Sequence, residues 1–427
     1  MTPNPGGERG GDALGGAKGE GPLIGVVAST RHVEAQLVKQ TAFGRLMPAG
    51  RRIVEDVDGP TQFVPLSIER QIAEGAQLAN GPARGSGDTK AGSPGHSGET
   101  RAGDAWIQSI GNAVAKLTFG TRGPGLRLGL AIDARLGHRG RTVVAARDGA
   151  RIQDIPGALD AALRGRNCMP SAPIGRAVEL GEAWALGEIH SAIGSAGSSP
   201  RSIILTWDAD VSWTSVGRGR VLGNQIEVPG GRFELGFARL DRAFRGESPA
   251  RGRLLTCARR GDPEATELLR ETAACLGSGA AVRLLARVRE EQRSASHIRG
   301  ESDAWVRLIL GGTLGRAAAD PRMLDVILTP FERALVEALA GAESRSAALD
   351  AGLIAPAEQG VDPASGSSSV DPTGLPRGPE RAVTVDGLTL SAGTLLISRE
   401  DASPCLGAAS LALQDDTLAA LGGRSSS

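Results

Sequence analysis

The residues of this chain that could do chemistry are scattered carboxylates, one glycine pair and a few histidines and cysteines. Asp208 and Asp210 flank Ala209, just after the apolar run Ile203 to Leu205. Alternate residues on a strand share a face, so the pair could hold a metal directly; the competing reading is a solvated turn. Gly311 and Gly312 follow the apolar run Val306 to Leu310. Two glycines let backbone approach a ligand closely, and they also make an ordinary turn. His32, His138, His190 and His297 have no helical or strand spacing to one another, so no metal site is expected. Cys168, Cys257, Cys275 and Cys405 lie far apart, form no zinc spacing, and read as reduced, mostly buried thiols. The nucleophile elbow G-x-S-x-G, the Walker loop and the dinucleotide-binding G-x-G-x-x-G on a strand–helix turn are absent.

The elements that must position these residues follow from hydrophobic periodicity. Short apolar runs predict strands at 22–27, 33–38, 52–54, 126–132, 201–207, 306–310 and 395–397, with a hairpin partner of the 201–207 strand near 219–222. Helical spacing predicts helices over 64–78, 106–117, 155–163, 177–193, 261–292, 331–340 and 406–420. Residues 1–22 read as a disordered Gly-rich tail, and 80–103 and 356–382 as low-complexity insertions. The remainder divides into two α/β lobes, 23–199 and 200–427, with a cleft between them.

Composition narrows the function. Forty-eight basic and 48 acidic side chains balance to zero, which argues against a broad electrostatic attraction to nucleic acid or membrane. The apolar share of 40% supports a real core. No apolar run reaches the ~20 residues of a membrane helix, and the first 22 residues lack an apolar signal region; the expected compartment is the cytoplasm. Tyrosine is absent, and lysine occurs only at positions 18, 39, 90 and 116; this follows a high-GC genome and carries no functional weight.

Five segments, in order, resemble the ROK family of sugar kinases and sugar-responsive repressors, which share the actin-like ATPase fold. Ile24 to Ala35 (IGVVASTRHVEA) is similar to the family's I-G-I-D-I-G-G-T-K-I-E-A hairpin, and Ala177 to Glu188 to V-E-N-D-A-N-x-x-A-L-x-E. Ile203 to Leu222 is similar to a strand, G-T-G-x-G and a hairpin; Gly230 to Phe237 to a-G-E-x-G-H; Leu308 to Gly312 to v-v-l-G-G. Gly261 to Ala265 with Leu276-Gly277, and Cys405 to Ala409, are smaller echoes. The resemblance implies a bacterial α/β protein with a two-lobed actin-like ATPase (ribonuclease H-like) fold and a central cleft.

The resemblance also says what the chemistry would need. Phosphoryl transfer from ATP requires phosphate-holding backbone donors with Mg²⁺, a base at the sugar hydroxyl, and a sugar clamp. Val27 stands where the metal-site Asp would be, although Thr30 could still donate a hydroxyl to a phosphate. Thr206 to Trp213 replaces the Gly-Thr-Gly loop. Leu180 stands at the base and Glu179 at the Asn before it; Glu179 or Glu182 could serve only through a shifted register. Glu234 matches the sugar-hydroxyl acceptor, Phe237 replaces the clamp His, and of the zinc cysteines only Cys257 lies in the corresponding region, so no zinc is expected. Gly311 and Gly312 match the adenosine side. The leading expectation is a non-catalytic regulatory or sugar-sensing pseudo-kinase without a cofactor. The alternative is an atypical MgATP-dependent sugar kinase, acting on a hexose or N-acetylhexosamine, with Glu179, Glu182 or Asp210 as base. The family's repressors carry a helix-turn-helix before the first hairpin, where this sequence has 22 Gly-rich residues, so no nucleic-acid partner is expected. A homodimer would use Trp184 or the 261–292 helix.

Overall fold

A computed structural model describes residues 21–28, 32–56, 96–118, 125–132, 144–145, 151–152, 155–170, 177–191, 201–208, 211–217, 219–226, 236–245, 253–295, 306–357, 383–398 and 404–422. Residues 1–20 of the expected tail, the 64–78 helix, Thr30, Asp210, Glu234 and most of both insertions lie outside these residues.

The first sheet is built from β1 (Leu23–Ala28), β2 (His32–Gln40), β3 (Leu46–Asp56), β4 (Arg127–Ile132) and β7 (Ala177–Glu179), with α1 (His96–Thr118) between β3 and β4. A small hairpin of β5 (Val144–Ala145) and β6 (Arg151–Ile152) and helix α2 (Ile155–Arg164) precede β7, and α3 (Leu180–His190) follows it. The strand order is β3-β2-β1-β4-β7, with β2 antiparallel to its neighbours and β1, β4 and β7 parallel. All six residues of β1 are buried, as befits a strand covered on both faces. Ile24, Val26 and Ala28 point outward with Leu128, Leu130 and Ile132, under Ile107, Ile110, Val114 and Leu117 of α1 and Leu159 and Leu163 of α2.

The second sheet repeats the plan. It comprises β8 (Arg201–Trp207), β9 (Val211–Gly217), β10 (Arg220–Ile226), β11 (Val306–Gly311) and β14 (Leu395–Ile397), in the order β10-β9-β8-β11-β14. Again the second strand is antiparallel to the first, and the fourth and fifth are parallel to it. Between them run α4 (Phe237–Arg245), α5 (Leu254–Arg259), the long α6 (Pro263–Ala295), α7 (Gly312–Ala319), a π-helical turn (Leu324–Leu328), α8 (Thr329–Ala340), α9 (Arg345–Asp350) and the pair β12 (Ile354–Pro356) and β13 (Leu388–Leu390). The chain ends in α10 (Pro404–Gly422). Ile203, Leu205 and Trp207 meet Leu276, Ala280 and Leu284 of α6 on the outer face. This duplicated strand order, antiparallel only at the second strand of each sheet, is the two-lobed actin-like ATPase fold.

Two helices lie between the sheets, each on the sheet of the other half. Helix α10, last in sequence, packs on the first sheet: a Cβ on Gly25 or Gly129 would stand 1.7 Å from the carbonyl oxygen of Cys405 or Ala408. Helix α3 packs on the second sheet through Ala185 and Ile189, against Ile204, Val216, Ile309 and Leu396. The two helices cross where a Cβ on Gly407 would meet the carbonyl oxygen of Ala183 at 1.8 Å. Eight of the eleven residues of α3 are buried, including Trp184, because it has protein on both sides.

Several expectations are corrected. Residues 177–179 are a strand that pairs with β4, and the helix begins only at Leu180. The hairpin partner of β8 is Val211–Gly217; residues 220–226 form the third strand. The 80–103 insertion gives way to helix at His96. Trp184 is 4% exposed and cannot form a dimer surface. Cys168 and Cys405 are buried, but Cys275 is exposed and Cys257 half-buried. No described helix is long and apolar enough to cross a membrane.

Candidate functional site

Ligands of open α/β sheets bind beyond the carboxyl ends of the parallel strands. Here the ends of β8 and β11, the start of α7 and the first turns of α3 meet. Strand β8 runs through Thr206 and Trp207 before bending at Asp208. The carboxylate does not lie in a solvated turn. Asp208 Oδ1 accepts from the Thr313 backbone N–H (2.8 Å) and the Thr313 hydroxyl (2.6 Å), with the Arg316 guanidinium at 3.9 Å. It therefore satisfies an unpaired donor at the α7 N-terminus and meets the positive end of the helix dipole. The Asp208 carbonyl accepts from Phe237 N–H, which fixes the start of α4.

Gly312 has φ +63, a conformation that favours glycine, and a Cβ there would stand 2.5 Å from Asp208 Oδ2. At Gly311 a Cβ would meet the Thr206 methyl at 3.1 Å and the Trp184 ring at 3.5 Å. The glycine pair thus admits this chain's own Asp208 and Trp184. Beside it Trp207, fully buried, stacks on Phe237 with ring centroids 3.7 Å apart and planes 18° from parallel. Phe237, at the family's histidine position, is a core residue.

Glu179, the last residue of β7 and the residue before the first turn of α3, is tied to the other lobe. Asn224 Nδ2 on β10 donates to Glu179 Oε2 (2.8 Å), and Asn224 Oδ1 accepts from the hydroxyls of Ser212 (2.5 Å) and Thr214 (3.0 Å) on β9. Gly181 lets this happen: a Cβ there would stand 2.1 Å from Ser212 Oγ. Glu182 is half-buried in the first turn of α3. Leu180 is half-buried and packs in the same cluster as Val27, beside Ala131, Val178 and Ala183. Farther along α3, the buried Glu188 accepts from the Ser398 hydroxyl after β14.

The structure therefore brings Gly311, Gly312 and the first turns of α3 into one region, with Glu179 and Glu182 on the α3 side. Thr30, Asp210 and Glu234 fall outside the described residues. Sequence reasoning missed Asn224 and the Ser212/Thr214 pair. The available signal was the alternation of Ser212 and Thr214 with Val211 and Trp213, which is the period of a strand. Among the described residues no cluster of three His, Cys, Asp or Glu could hold a metal.

No family model matches the chain, and no curated protein matches it. Solved structures do. A ROK family glucokinase from Streptomyces griseus, in complex with glucose and AMPPNP, is similar at 15% identity and a TM-score of 0.44, over 92% of this chain and 100% of that one. A ROK hexokinase from Thermus thermophilus is similar at 18% identity and a TM-score of 0.42, over 92% and 99%. A ROK family transcriptional regulator, a homologue of the E. coli MLC protein, is similar at 13% identity and a TM-score of 0.37, over 74% and 70%. These structures belong to the family that the sequence motifs resemble, and the fold itself rests on the strand order and register described above.

Proposed function

We propose that this chain is a sugar-kinase-like protein that does not transfer phosphate and acts in regulation or sugar sensing. The observation that carries this reading is Asp208 on the N-terminus of α7. The Thr313 N–H is the type of donor that would hold a phosphate at a helix start. Here it is taken by a carboxylate of the chain itself. A phosphate brought within ~4 Å of that carboxylate meets a repulsion of about 4 kcal/mol per unit charge at a near-surface dielectric. The neighbouring glycine is covered by Trp184, and Val27 is packed among apolar residues at the position that would hold the metal. Glu179 is hydrogen-bonded to Asn224, and Leu180 at the base position cannot accept a proton. Glu234 is retained in this reading as the acceptor for a sugar hydroxyl.

Thermal denaturation with and without MgATP, and with a panel of hexoses and N-acetylhexosamines, tests the proposal. A ligand that binds only the native state raises Tm by mass action. The expected result is no shift with MgATP and a shift with one class of sugar. A MgATP-dependent rise in Tm would overturn the reading. It would favour the kinase with a displaced base, whose turnover should then be lost in Glu182→Gln, Glu179→Gln or Asp210→Asn.

A further inference from the structure

Asp208 is the point where three elements of the second lobe meet. It follows the last residue of β8, its carbonyl accepts from Phe237 N–H at the start of α4 (2.9 Å), and its carboxylate accepts from Thr313 at the start of α7. Trp207, the residue before it, stacks on Phe237 and adds a second tie to α4. The hydrogen bonds carry the tie to α7. Arg316 adds little of its own, since its guanidinium stands 3.9 Å from the carboxylate and its side chain is 46% exposed, whereas the Asp208 side chain is 15% exposed. Arg316 instead donates to Thr313 Oγ1 (3.1 Å), which leaves the hydroxyl hydrogen for Asp208.

A free oxyanion at this place would take the same two donors from Thr313 and face the same cation. Asp208 differs in one respect: it is joined to β8, so it is present at every ligand concentration. We propose that Asp208 is a tethered stand-in for such an anion, which keeps α4 and α7 fastened to β8 with no ligand bound. Glu234, the expected sugar acceptor, lies three residues before Phe237 in the sequence, so the sugar segment leads into an edge that is already assembled. The chain then answers to one ligand, the sugar, where a kinase needs two. The stand-in role rests on the non-transferring reading and adds to it the state of the unliganded lobe.

Melting curves of the full chain in inorganic phosphate and in sodium chloride, at matched ionic strength, test it. Asp208→Ala should lower Tm by a few degrees in chloride, and phosphate should restore a good part of that fall by binding the native state in place of the carboxylate. Phosphate should move the wild type only by its general salt effect, measured on Gly223→Ala, whose added Cβ meets nothing within 4 Å. Asp208→Ala/Arg316→Gln should respond to phosphate less than Asp208→Ala does, because the cation beside Thr313 is gone. Asp208→Ser leaves a short hydroxyl and room for an anion, and it carries the same test where alanine prevents folding. An Asp208→Ala variant as stable as the wild type overturns the proposal. So does a phosphate response no greater in the alanine and serine variants than in the wild type. Failure of the non-transferring reading is distinct: there MgATP raises the Tm of the wild type itself.

Discussion

The first sheet presents glycine to its inner helix, and the second presents isoleucine. Gly25 and Gly129 are register partners on β1 and β4, and the backbone of α10 lies directly on them. At the corresponding place on β8 and β11 the register partners are Ile204 and Ile309, and α3 is held off by Ala185 and Ile189. The strand orders are the same, yet one interface is a contact between backbones and the other an interdigitation of side chains. Side chains can change rotamer to absorb a small change in volume, whereas a backbone contact has no such freedom. The first lobe therefore fixes the distance between sheet and helix rigidly. The second leaves room for variation.

The largest effect should come from breaking the rigid side. Gly129→Ala places a methyl 1.7 Å from the Ala408 carbonyl oxygen, which no rotamer can relieve. The expected loss is about 3 kcal/mol, or a fall of a few degrees in Tm. Gly223→Ala on β10 is the control, because a Cβ there meets nothing within 4 Å. Its Tm should stay close to the wild type. Equal Tm values for both variants would show that α10 does not rest on β4.

Next in size is the junction between the halves. Asn224→Ala removes the donor to Glu179 and the acceptor of two hydroxyls, leaving Ser212, 6% exposed, and Thr214, fully buried, without that partner. Buried groups left unsatisfied cost about 1–3 kcal/mol. Asn224→Asp keeps the acceptor but sets a second carboxylate against Glu179. It should be no better than the alanine variant at neutral pH and should improve as the pair is protonated. Urea unfolding at two pH values measures both.

Much of this architecture was legible because apolar runs mark strands covered on both faces. Leu395–Ile397 matches its expected bounds, and the buried face of α6 follows the expected spacing. Three features were hidden for physical reasons. Strand β7 is only Ala-Val-Glu, too short to interrupt the helical periodicity that follows it. Strand β9 turns Ser212 and Thr214 inward, toward Asn224 rather than toward water, so its polar residues imitated a loop. Asp208 looked like a turn residue, because sequence cannot show that the N-terminus of a helix more than 100 residues later, Thr313, comes to meet it.

The side-chain interface of the second lobe should respond less steeply. Ile309→Val removes one methyl from the face against α3, with an expected loss of about 1 kcal/mol. One methyl added at 129 should therefore outweigh one removed at 309. If the two losses were equal, the distinction between rigid and adaptable interfaces would fall.

The smallest effect concerns the far end of α3. His190 closes the helix, and Arg45, from the turn between β2 and β3, donates to the Ile189 carbonyl beside it. Burial, and then the Arg45 guanidinium, hold the His190 pKa below its ordinary 6.5. A helix C-terminus normally favours a cation, but Arg45 already occupies that role, so a second positive charge is disfavoured. In the window between the lowered folded value and 6.5, the unfolded chain binds the proton more readily than the folded one. The stability contributed by neutral His190 is present above 6.5 and is lost as pH falls through that window. Melting curves between about pH 7 and pH 5 should therefore fall less steeply for His190→Gln than for the wild type. The Arg45→Met variant removes the second cause and should flatten the wild-type profile in part while lowering Tm at every pH through the lost bond to Ile189. Parallel pH profiles for wild type and His190→Gln would show that this end of α3 titrates as freely as it would in water, and that the joint near Arg45 is open to solvent.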